Sequence, residues 1–420
     1  MQYKQAAGKH QGLPTLSFMK QLLYIIPYNQ LFPPKNGGML RNYFLCYELS
    51  KYYSVTLVTF QEAGSFKNGS DGYFWNEEIR VITIPVPATK PVGFKKIVNA
   101  IKGRFYQWRF FSSVNNYALY GHPVIKNLLK KTNYHFIIMP HLGTLRLMHL
   151  IHRYGGKSTK IFDAHNVDHL LFAGGNDLSI ATNSKRYEQI RREEKSLHTK
   201  VDLFLACSET DRQIVEEINR SKIKGLVVPN GADTYHNQFM IQKDTSIKQI
   251  LFCGSLDYQP NIDGIVWFYQ DIWPFLQKMV PGIRLVVIGR NGNRPEYEEL
   301  KKDESIDFIG EVLQVKEYYM QTSVSIVPLR SGSGTRLKIL EAMCLGNPVV
   351  STTIGAEGIE CTNGVNIMLA DEAEMFASAV AGLLMQTEKA ELLRINARRL
   401  IDEKYSWEIV GKKLANALGE

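Results

Sequence analysis

The segment PLRSGSGTRLKILEAMCLGNPVVST, residues 328–352, decides the fold. It starts where one apolar run ends, passes through a loop of small residues and an amphipathic stretch, and reaches a second apolar run at Pro348–Ser351. This order predicts a strand, a glycine-rich loop, a helix that begins near Thr335 and a second strand. We therefore predict an α/β protein in which the loop lies at the carboxyl edge of a parallel sheet, where open α/β folds bind ligands.

The same loop predicts an anion-binding site. Arg330, Arg336 and Lys338 surround the small residues, and backbone N–H groups at the start of a helix favour negative charge. Three cations and open N–H groups suit a diphosphate. Glu341, further along the helix, can accept two hydrogen bonds from a vicinal diol such as a ribose. The alternative is a tight turn with a solvated basic face.

Apolar runs alternate with longer amphipathic stretches from Leu22 onward, which predicts two doubly wound Rossmann-like units. We place the first domain at 19–228 together with a C-terminal helix at about 406–420, and the second at 229–405; residues 1–18 are expected to be an extension or tag. The net charge changes sign at this boundary, with 31 Lys+Arg and 16 Asp+Glu before it and 19 and 25 after it. The predicted strands are 22–27, 55–60, 81–84, 136–139, 160–164, 203–206, 249–253, 284–288, 308–309, 324–327 and 348–351.

The first domain carries a strongly basic stretch. The 84 residues between Glu78 and Asp163 contain 14 Lys+Arg and no carboxylate, which indicates an anionic partner. Within it, residues 94–111 interleave aromatic residues with cations, a composition that suits contact with an anionic membrane surface. A core-facing aromatic stripe with solvated lysines is the alternative. No nucleic-acid-binding motif accompanies the stretch, so we predict no nucleic acid partner.

Several other classes of protein are disfavoured. The five cysteines are widely spaced and form no Cys-x-x-Cys pair, which indicates buried reduced thiols in a cytoplasmic protein. No apolar run approaches the roughly 18 residues of a membrane span, and the first residues lack an apolar signal core. Neither Asp-x-Asp nor a His/Cys cluster with ligand spacing occurs, so we expect no metal and no cofactor. Gly-x-Ser-x-Gly, the nucleophile elbow of hydrolases, is also absent.

Other motifs follow the same order as in a known family. They are Gly37-Gly38, Val228–Asp233, Gly254–Leu256, Val286–Gly289, Asp307–Gly310, Glu341–Val350, Gly355–Gly358 and Tyr405–Glu408. In order and spacing the chain from Leu22 onward resembles the retaining GT-B glycosyltransferases of family 4, the glycosyl transferases group 1. The resemblance implies two domains facing a central cleft, the first for the acceptor and the second for a nucleotide-activated sugar.

The resemblance makes Glu341 the ribose-binding residue, the second of two glutamates eight positions apart. Ser333 stands in the place of the first, although Gly334 matches the glycine that follows it. The family's Arg and Lys after the second domain's first strand are also missing, because Ser255 and either Pro260 or Asn261 occupy their places.

We interpret these replacements as a relocation of charge. Arg336 and Lys338, with Arg330 or Arg290, would stabilise the departing diphosphate in the absence of a metal, with Thr335 and Gly310 lining the donor site. Loss of activity is the competing explanation for Ser333.

Three segments of the first domain complete the predicted site. His141 follows a strand, and the resemblance gives it the active-site position near the donor sugar. His165 and Asn166 end the next strand and are expected in the acceptor cleft, with His165 as the rival for the role of His141. Gly37 and Gly38, flanked by Lys35 and Arg41, are expected to approach the donor phosphates. A plain left-handed helix start is the alternative for this glycine pair.

The sequence thus predicts a cytoplasmic, membrane-peripheral hexosyl-type glycosyltransferase of cell-envelope or exopolysaccharide synthesis. It would move a sugar from a nucleoside diphosphate, UDP or GDP, to a hydroxyl of a glycan or lipid-linked acceptor, with retention and without metal. The alternative is a catalytically silent scaffold or sugar-nucleotide-binding protein. A sugar-nucleotide epimerase fits the glycine-loop pattern less well.

Overall fold

The computed structural model describes residues 19–26, 34, 36–62, 71–74, 79–86, 117–174, 184–240, 248–332 and 334–420. The chain divides into two compact units. Unit 1 comprises Met1–His169, Thr182–Val228 and Gly411–Glu420, and unit 2 comprises Leu170–Ala181 and Pro229–Val410. The main division therefore falls where the charge balance changes sign. The predicted extension 1–18 and the basic segment 94–111 lie outside the described residues.

Unit 1 is built on an eight-stranded sheet in the order β3-β4-β2-β1-β5-β6-β7-β8. Neighbouring strands pair in parallel except β3, which is antiparallel to β4. The strands are β1 (Gln21–Ile25), β2 (Ser54–Glu62), β3 (Asp71–Phe74), β4 (Ile79–Val86), β5 (Phe136–Pro140), β6 (Thr159–Ala164), β7 (Leu203–Ala206) and β8 (Lys224–Val227). The helices are α1 (Gly37–Leu49), α2 (Tyr117–Lys131), α3 (Met148–Tyr154), α4 (Asp168–Gly174, continuing into unit 2), α5 (Lys185–Lys195) and α6 (Glu209–Ile218), with 3-10 turns at Leu142–Leu147 and Leu197–Thr199.

Unit 2 contains a six-stranded parallel sheet in the order β11-β10-β9-β12-β13-β14. The strands are β9 (Gln249–Cys253), β10 (Arg284–Ile288), β11 (Ile306–Gly310), β12 (Val324–Val327), β13 (Val349–Ser351) and β14 (Met368–Leu369). The helices are α7 (Gln259–Trp267), α8 (Trp273–Met279), α9 (Glu298–Lys302), α10 (Lys316–Gln321), α11 (Leu337–Leu345), α12 (Ala373–Met385), α13 (Thr387–Leu400) and α14 (Trp407–Ala417, ending in unit 1), with a 3-10 turn at Pro295–Tyr297 and π turns at Phe268–Ile272 and Ile401–Tyr405.

Each sheet buries its own apolar core. In unit 1, Leu23, Ile137 and Phe204 from three strands of the sheet are fully buried, and helices cover them. In unit 2, Phe252 and Val287 are equally buried. Strands buried on both faces are expected of parallel sheets covered by helices. Polar residues at the strand ends are therefore the ones available for binding.

Candidate functional sites

The glycine-rich loop of unit 2 runs from the end of β12 to the start of α11. The helix begins at Leu337 with Arg336 as its N-cap residue, so the predicted start near Thr335 is wrong by two residues. Gly332 and Gly334 have φ values of 109° and 83°, which lie outside the helical region and keep the loop from joining the helix. The open N–H groups at this helix end therefore belong to its first residues from Leu337 onward, not to Gly334 and Thr335. Ser333 lies outside the described residues.

Lys338 links α11 to the first turn of α7, the helix that follows β9. Its Nζ donates a hydrogen bond to Asn261 Oδ1 at 2.8 Å and lies 5.0 Å from the centre of the Phe252 ring. Asn261 in turn donates to the backbone oxygen of Ser255 at 2.8 Å. Burial lowers the pKa of Lys338 to about 8. A cation thus reaches the segment after β9 in which Ser255 and either Pro260 or Asn261 occupy the places of the expected basic residues.

Three glycines allow the backbones to approach closely at this end of the sheet. Gly254 N donates to Ile288 O at 3.1 Å, and Gly289 N donates to Gly310 O at 2.7 Å. A Cβ on Gly254 would lie 2.6 Å from Lys338 Nζ. Gly310 has a φ of 81°, and a register shift in the β10–β11 pairing occurs beside it. Glycine at position 254 leaves room for the lysine, and glycine at position 289 lets the ends of β9 and β10 approach each other.

The other predicted cations have different partners. Arg336 is 8% exposed and donates from Nη1 to Gly334 O at 2.8 Å, which stabilises the turn of its own loop. The Arg330 guanidinium lies 5.3 Å from the centre of the Trp267 ring. Arg290 is exposed, and its charge contributes to lowering the pKa of Asp257, whose hydrogen bond from Ser255 is the larger cause. Lys338 is therefore the cation most directly built into the site.

Glu341 lies on the same helix, one turn after Lys338. Burial, together with the charge of Asp233, raises the pKa of its carboxyl group to about 7, while a hydrogen bond from Tyr319 opposes this rise. The Tyr319 hydroxyl also contacts Lys338 O at 3.3 Å. Tyr319 was not among the predicted site residues, and its position in an ordinary amphipathic stretch gave no signal. The carboxyl group is thus partly protonated at neutral pH.

In unit 1 the two predicted histidines contact each other. The ring centres of His141 and His165 are 4.3 Å apart, with an angle of 59° between the ring planes. His141 has a φ of 65°, a conformation that costs about 1–3 kcal/mol in a residue other than glycine. Burial, followed by the influence of His165, lowers the pKa of His141 to about 3, so its imidazole is neutral at physiological pH. Asn166 is partly buried next to His165.

A buried ion pair lies beneath these histidines. Arg41 and Asp163 are 1% and 0% exposed, and Arg41 Nη2 donates to Asp163 Oδ1 at 2.7 Å. Arg41, which flanks the glycine pair in the sequence, turns its side chain inward to the end of β6. Asp163 was not predicted as a site residue, although it is the first carboxylate after the 84-residue acid-free stretch.

Gly37 and Gly38 are the first two residues of α1. Asn36 caps this helix, since its side chain accepts a hydrogen bond from Met39 N at 2.9 Å. Neither glycine is in the left-handed region, so the alternative of a left-handed helix start is wrong. Contact of this pair with donor phosphates stays a prediction, and Lys35 lies outside the described residues.

The described residues contain free cysteines but no cluster suited to a metal ion. All five cysteines are free; Cys46, Cys207 and Cys344 are buried, whereas Cys253 and Cys361 are only partly buried, unlike the prediction. Among the described residues, no group of three or more His, Cys, Asp or Glu side chains could hold a metal ion. Over the same ranges, none of the helices combines the length and the apolar character that crossing a membrane requires.

Comparison with known proteins finds a family match in the second half of the chain. Residues 247–386 match the family model described as Glycosyl transferases group 1. An uncharacterized 44.6 kDa protein in the cps region of Klebsiella pneumoniae is 27% identical over 212 residues, or 48% of this chain and 52% of that protein. The chain therefore spans about half the length of this curated relative.

Solved structures resemble nearly the whole chain. Sucrose-phosphate synthase from Thermosynechococcus elongatus has a TM-score of 0.69 at 14% identity, covering 95% of this chain and 98% of that one. Anabaena HepE in complex with UDP has a TM-score of 0.64 at 14% identity, covering 95% and 99%. The E. coli trehalose-6-phosphate protein bound with UDP-2-fluoro glucose has a TM-score of 0.64 at 13% identity, again covering 95% and 99%. At these identities the likeness establishes the fold, and the predicted GT-B fold is confirmed.

Proposed function

We propose that the protein is a retaining glycosyltransferase that moves a hexosyl group from a nucleoside diphosphate sugar to a hydroxyl of a glycan or lipid-linked acceptor. The proposal rests chiefly on one observation: Lys338 and Glu341 lie one turn apart on α11, at the carboxyl edge of the unit 2 sheet. Both lie within the residues that match the glycosyl transferases group 1 model. A cation and a carboxyl group at this spacing suit the diphosphate and the ribose of one nucleotide.

The donor we propose is a UDP-sugar. Two of the proteins with the same fold were solved with UDP or a UDP-sugar derivative bound, which supports this choice over GDP. The association of the Klebsiella relative with a cps region supports a role in polysaccharide synthesis. Contact with an anionic membrane through residues 94–111, at the inner face of the membrane, stays part of the proposal, and that segment lies outside the described residues.

The chemistry we propose uses the side chains of the chain itself. With a pKa of about 8, Lys338 is mostly charged at neutral pH and stabilises the negative charge of the departing UDP. Glu341 binds the ribose hydroxyls, and Arg336 keeps the loop in the conformation that exposes the helix end. The neutral imidazole of His141 can exchange hydrogen bonds with a sugar hydroxyl without adding charge. No step in this scheme requires a metal.

A catalytically silent sugar-nucleotide-binding protein is the second candidate, because Ser333 replaces the acid of the family pattern. Incubation with a panel of UDP- and GDP-sugars distinguishes the two. Slow hydrolysis or transfer of a sugar would exclude the silent protein. Nucleotide binding without turnover on any acceptor would favour it over the transferase.

The ribose role of Glu341 predicts weaker nucleotide binding when the carboxyl group is removed. Glu341→Ala should lower the affinity for UDP about tenfold, because the two proposed hydrogen bonds to the ribose hydroxyls contribute about 0.5–1.5 kcal/mol each. Titration calorimetry with UDP and GDP measures the change. Glu388→Ala, which removes an exposed carboxylate of α13, is the matched control and should bind like the wild type. Equal affinity for both variants would end the assignment of Glu341.

A further inference from the structure

Asp163 occupies the centre of a buried chain of side chains in unit 1. Arg41 donates to it from Nη2 and from Nε, with Nε 3.1 Å from both carboxylate oxygens. On the other side, Asp163 Oδ2 lies 3.2 Å from His165 Nε2. His165 then packs against His141. These contacts therefore form a continuous chain of side chains from α1 to the ends of β6 and β5. Its members are, in order, Arg41, Asp163, His165 and His141.

The protonation of Asp163 determines which nitrogen of His165 carries hydrogen. The charge of Arg41 and its hydrogen bonds hold the pKa of Asp163 well below its usual range, against the effect of burial. An ionised carboxylate can only accept hydrogen bonds, so His165 Nε2 must be the donor. Whenever the ring is neutral, its single hydrogen therefore lies on Nε2, and Nδ1 carries none.

The surroundings of His165 Nδ1 also favour the Nε2–H tautomer. His165 is 8% exposed, and among the described residues its buried Nδ1 has no hydrogen-bond partner. A buried N–H without an acceptor is rarer and more costly than an acceptor without a donor. The surroundings therefore favour the same Nε2–H form from both sides.

We infer that Asp163, fixed by Arg41, is the positioning residue of this site: it holds His165 in the Nε2–H tautomer and thereby holds His141 in its positive-φ conformation. The inference rests on the proposed function, because it concerns the histidine to which we assign contact with the sugar. The packing of His165 against His141 offsets the conformational cost of the backbone at His141. A His165 ring with the other tautomer would bury an N–H at Nδ1 and shift away.

Asp163→Asn tests the inference because the amide has only one acceptor. Two N–H groups of Arg41 face Oδ1, so the amide oxygen should keep that place and the NH2 group should face His165. His165 would then have to accept at Nε2 and carry its hydrogen at Nδ1. Nitrogen-15 NMR of labelled histidines at alkaline pH, with His165 assigned from a His165→Gln sample, reports this inversion. The His141 resonances should shift with it.

In kinetics, we expect Asp163→Asn to lower turnover about 10–100-fold, as is typical when a group that orients a functional histidine is changed. UDP affinity measured by calorimetry should stay unchanged, because Lys338 and Glu341, to which we assign the diphosphate and the ribose, lie in unit 2. The matched control is Asp202→Asn in the same unit, whose exposed carboxylate accepts from Lys160 N at 2.8 Å. It should leave the tautomer, the His141 resonances and turnover as in the wild type.

Several results would overturn the inference. One is the observation of an Nδ1–H tautomer of His165 in the wild type. This measurement does not depend on whether any variant folds. Another is Asp163→Asn with unchanged His141 resonances or unchanged turnover. If the wild type transfers no sugar at all, the proposed function fails, while the tautomer and the His141 shift still decide the positioning role.

Discussion

Gly289→Ala should lower the midpoint of thermal unfolding of unit 2 by about 10 °C. A Cβ at this position would lie 1.7 Å from the carbonyl oxygen of Gly254, a separation that no rotamer change can relieve because both groups are backbone. The carboxyl ends of β9 and β10 would have to separate. We expect a cost of about 3 kcal/mol or more, and each kcal/mol corresponds to about 2–4 °C for a domain of this size.

Differential scanning calorimetry measures the effect, and Gly382→Ala is its matched control. Gly382 lies inside α12, and a Cβ added there would have no other atom within 4 Å, so alanine should stabilise the helix by about 0.5–1 kcal/mol. The two Gly→Ala changes in one unit thus have opposite signs. A midpoint for Gly289→Ala within about 2 °C of the wild type corresponds to a loss of less than about 1 kcal/mol. Such a result would show that the close approach of Gly289 to the Gly254 carbonyl does not limit the stability of unit 2.

The sequence predicted the strands of the fold better than the start of its helix α11. Apolar runs such as Gln249–Cys253 and Arg284–Ile288 indicated strands of unit 2 with correct bounds, because full burial leaves a clear pattern. The start of α11 was misplaced because the helical pattern reaches back to Thr335. Positive φ angles at Gly332 and Gly334 interrupt it, and amino-acid type alone does not say which of two conformations a glycine adopts.

Site residues were harder to predict when their partners are distant in the chain. Arg41 and Asp163 are 122 positions apart, and only the order of the sheet brings them together. Composition did carry a signal, since Asp163 ends a long run without carboxylates and follows an apolar strand. Lys338 was predicted as a site cation, but its contact with Asn261 depends on how α11 lies beside the first turn of α7.

Lys338→Met should weaken UDP binding at pH 7 by about 2 kcal/mol or more, which corresponds to about 30-fold. The partly buried ammonium group is the proposed partner of the diphosphate. Methionine keeps most of the length of lysine and its contact with Phe252 but removes the charge. Calorimetry measures the loss. Lys278→Met, which removes an exposed lysine of α8, is the matched control and should bind UDP like the wild type. Unchanged affinity in Lys338→Met would contradict the role of this lysine.

The pH dependence gives this prediction a second signature. Burial lowers the pKa of Lys338 to about 8, so the charged form dominates below pH 8 and disappears as pH rises through that value. A bound diphosphate favours the charged form and raises the pKa of the lysine. UDP affinity should therefore be greatest below pH 8 and fall up to about tenfold per pH unit above it.

Lys338→Arg separates this effect from the titration of UDP itself. A guanidinium stays charged throughout this range, so the alkaline decrease in affinity should disappear in the arginine variant, whatever its affinity at neutral pH. Calorimetric titrations of both proteins between about pH 7 and pH 10 supply the comparison. Parallel curves would mean that another group causes the decrease, and the charge that stabilises the departing nucleotide would then have to be sought at Arg336 or Arg330.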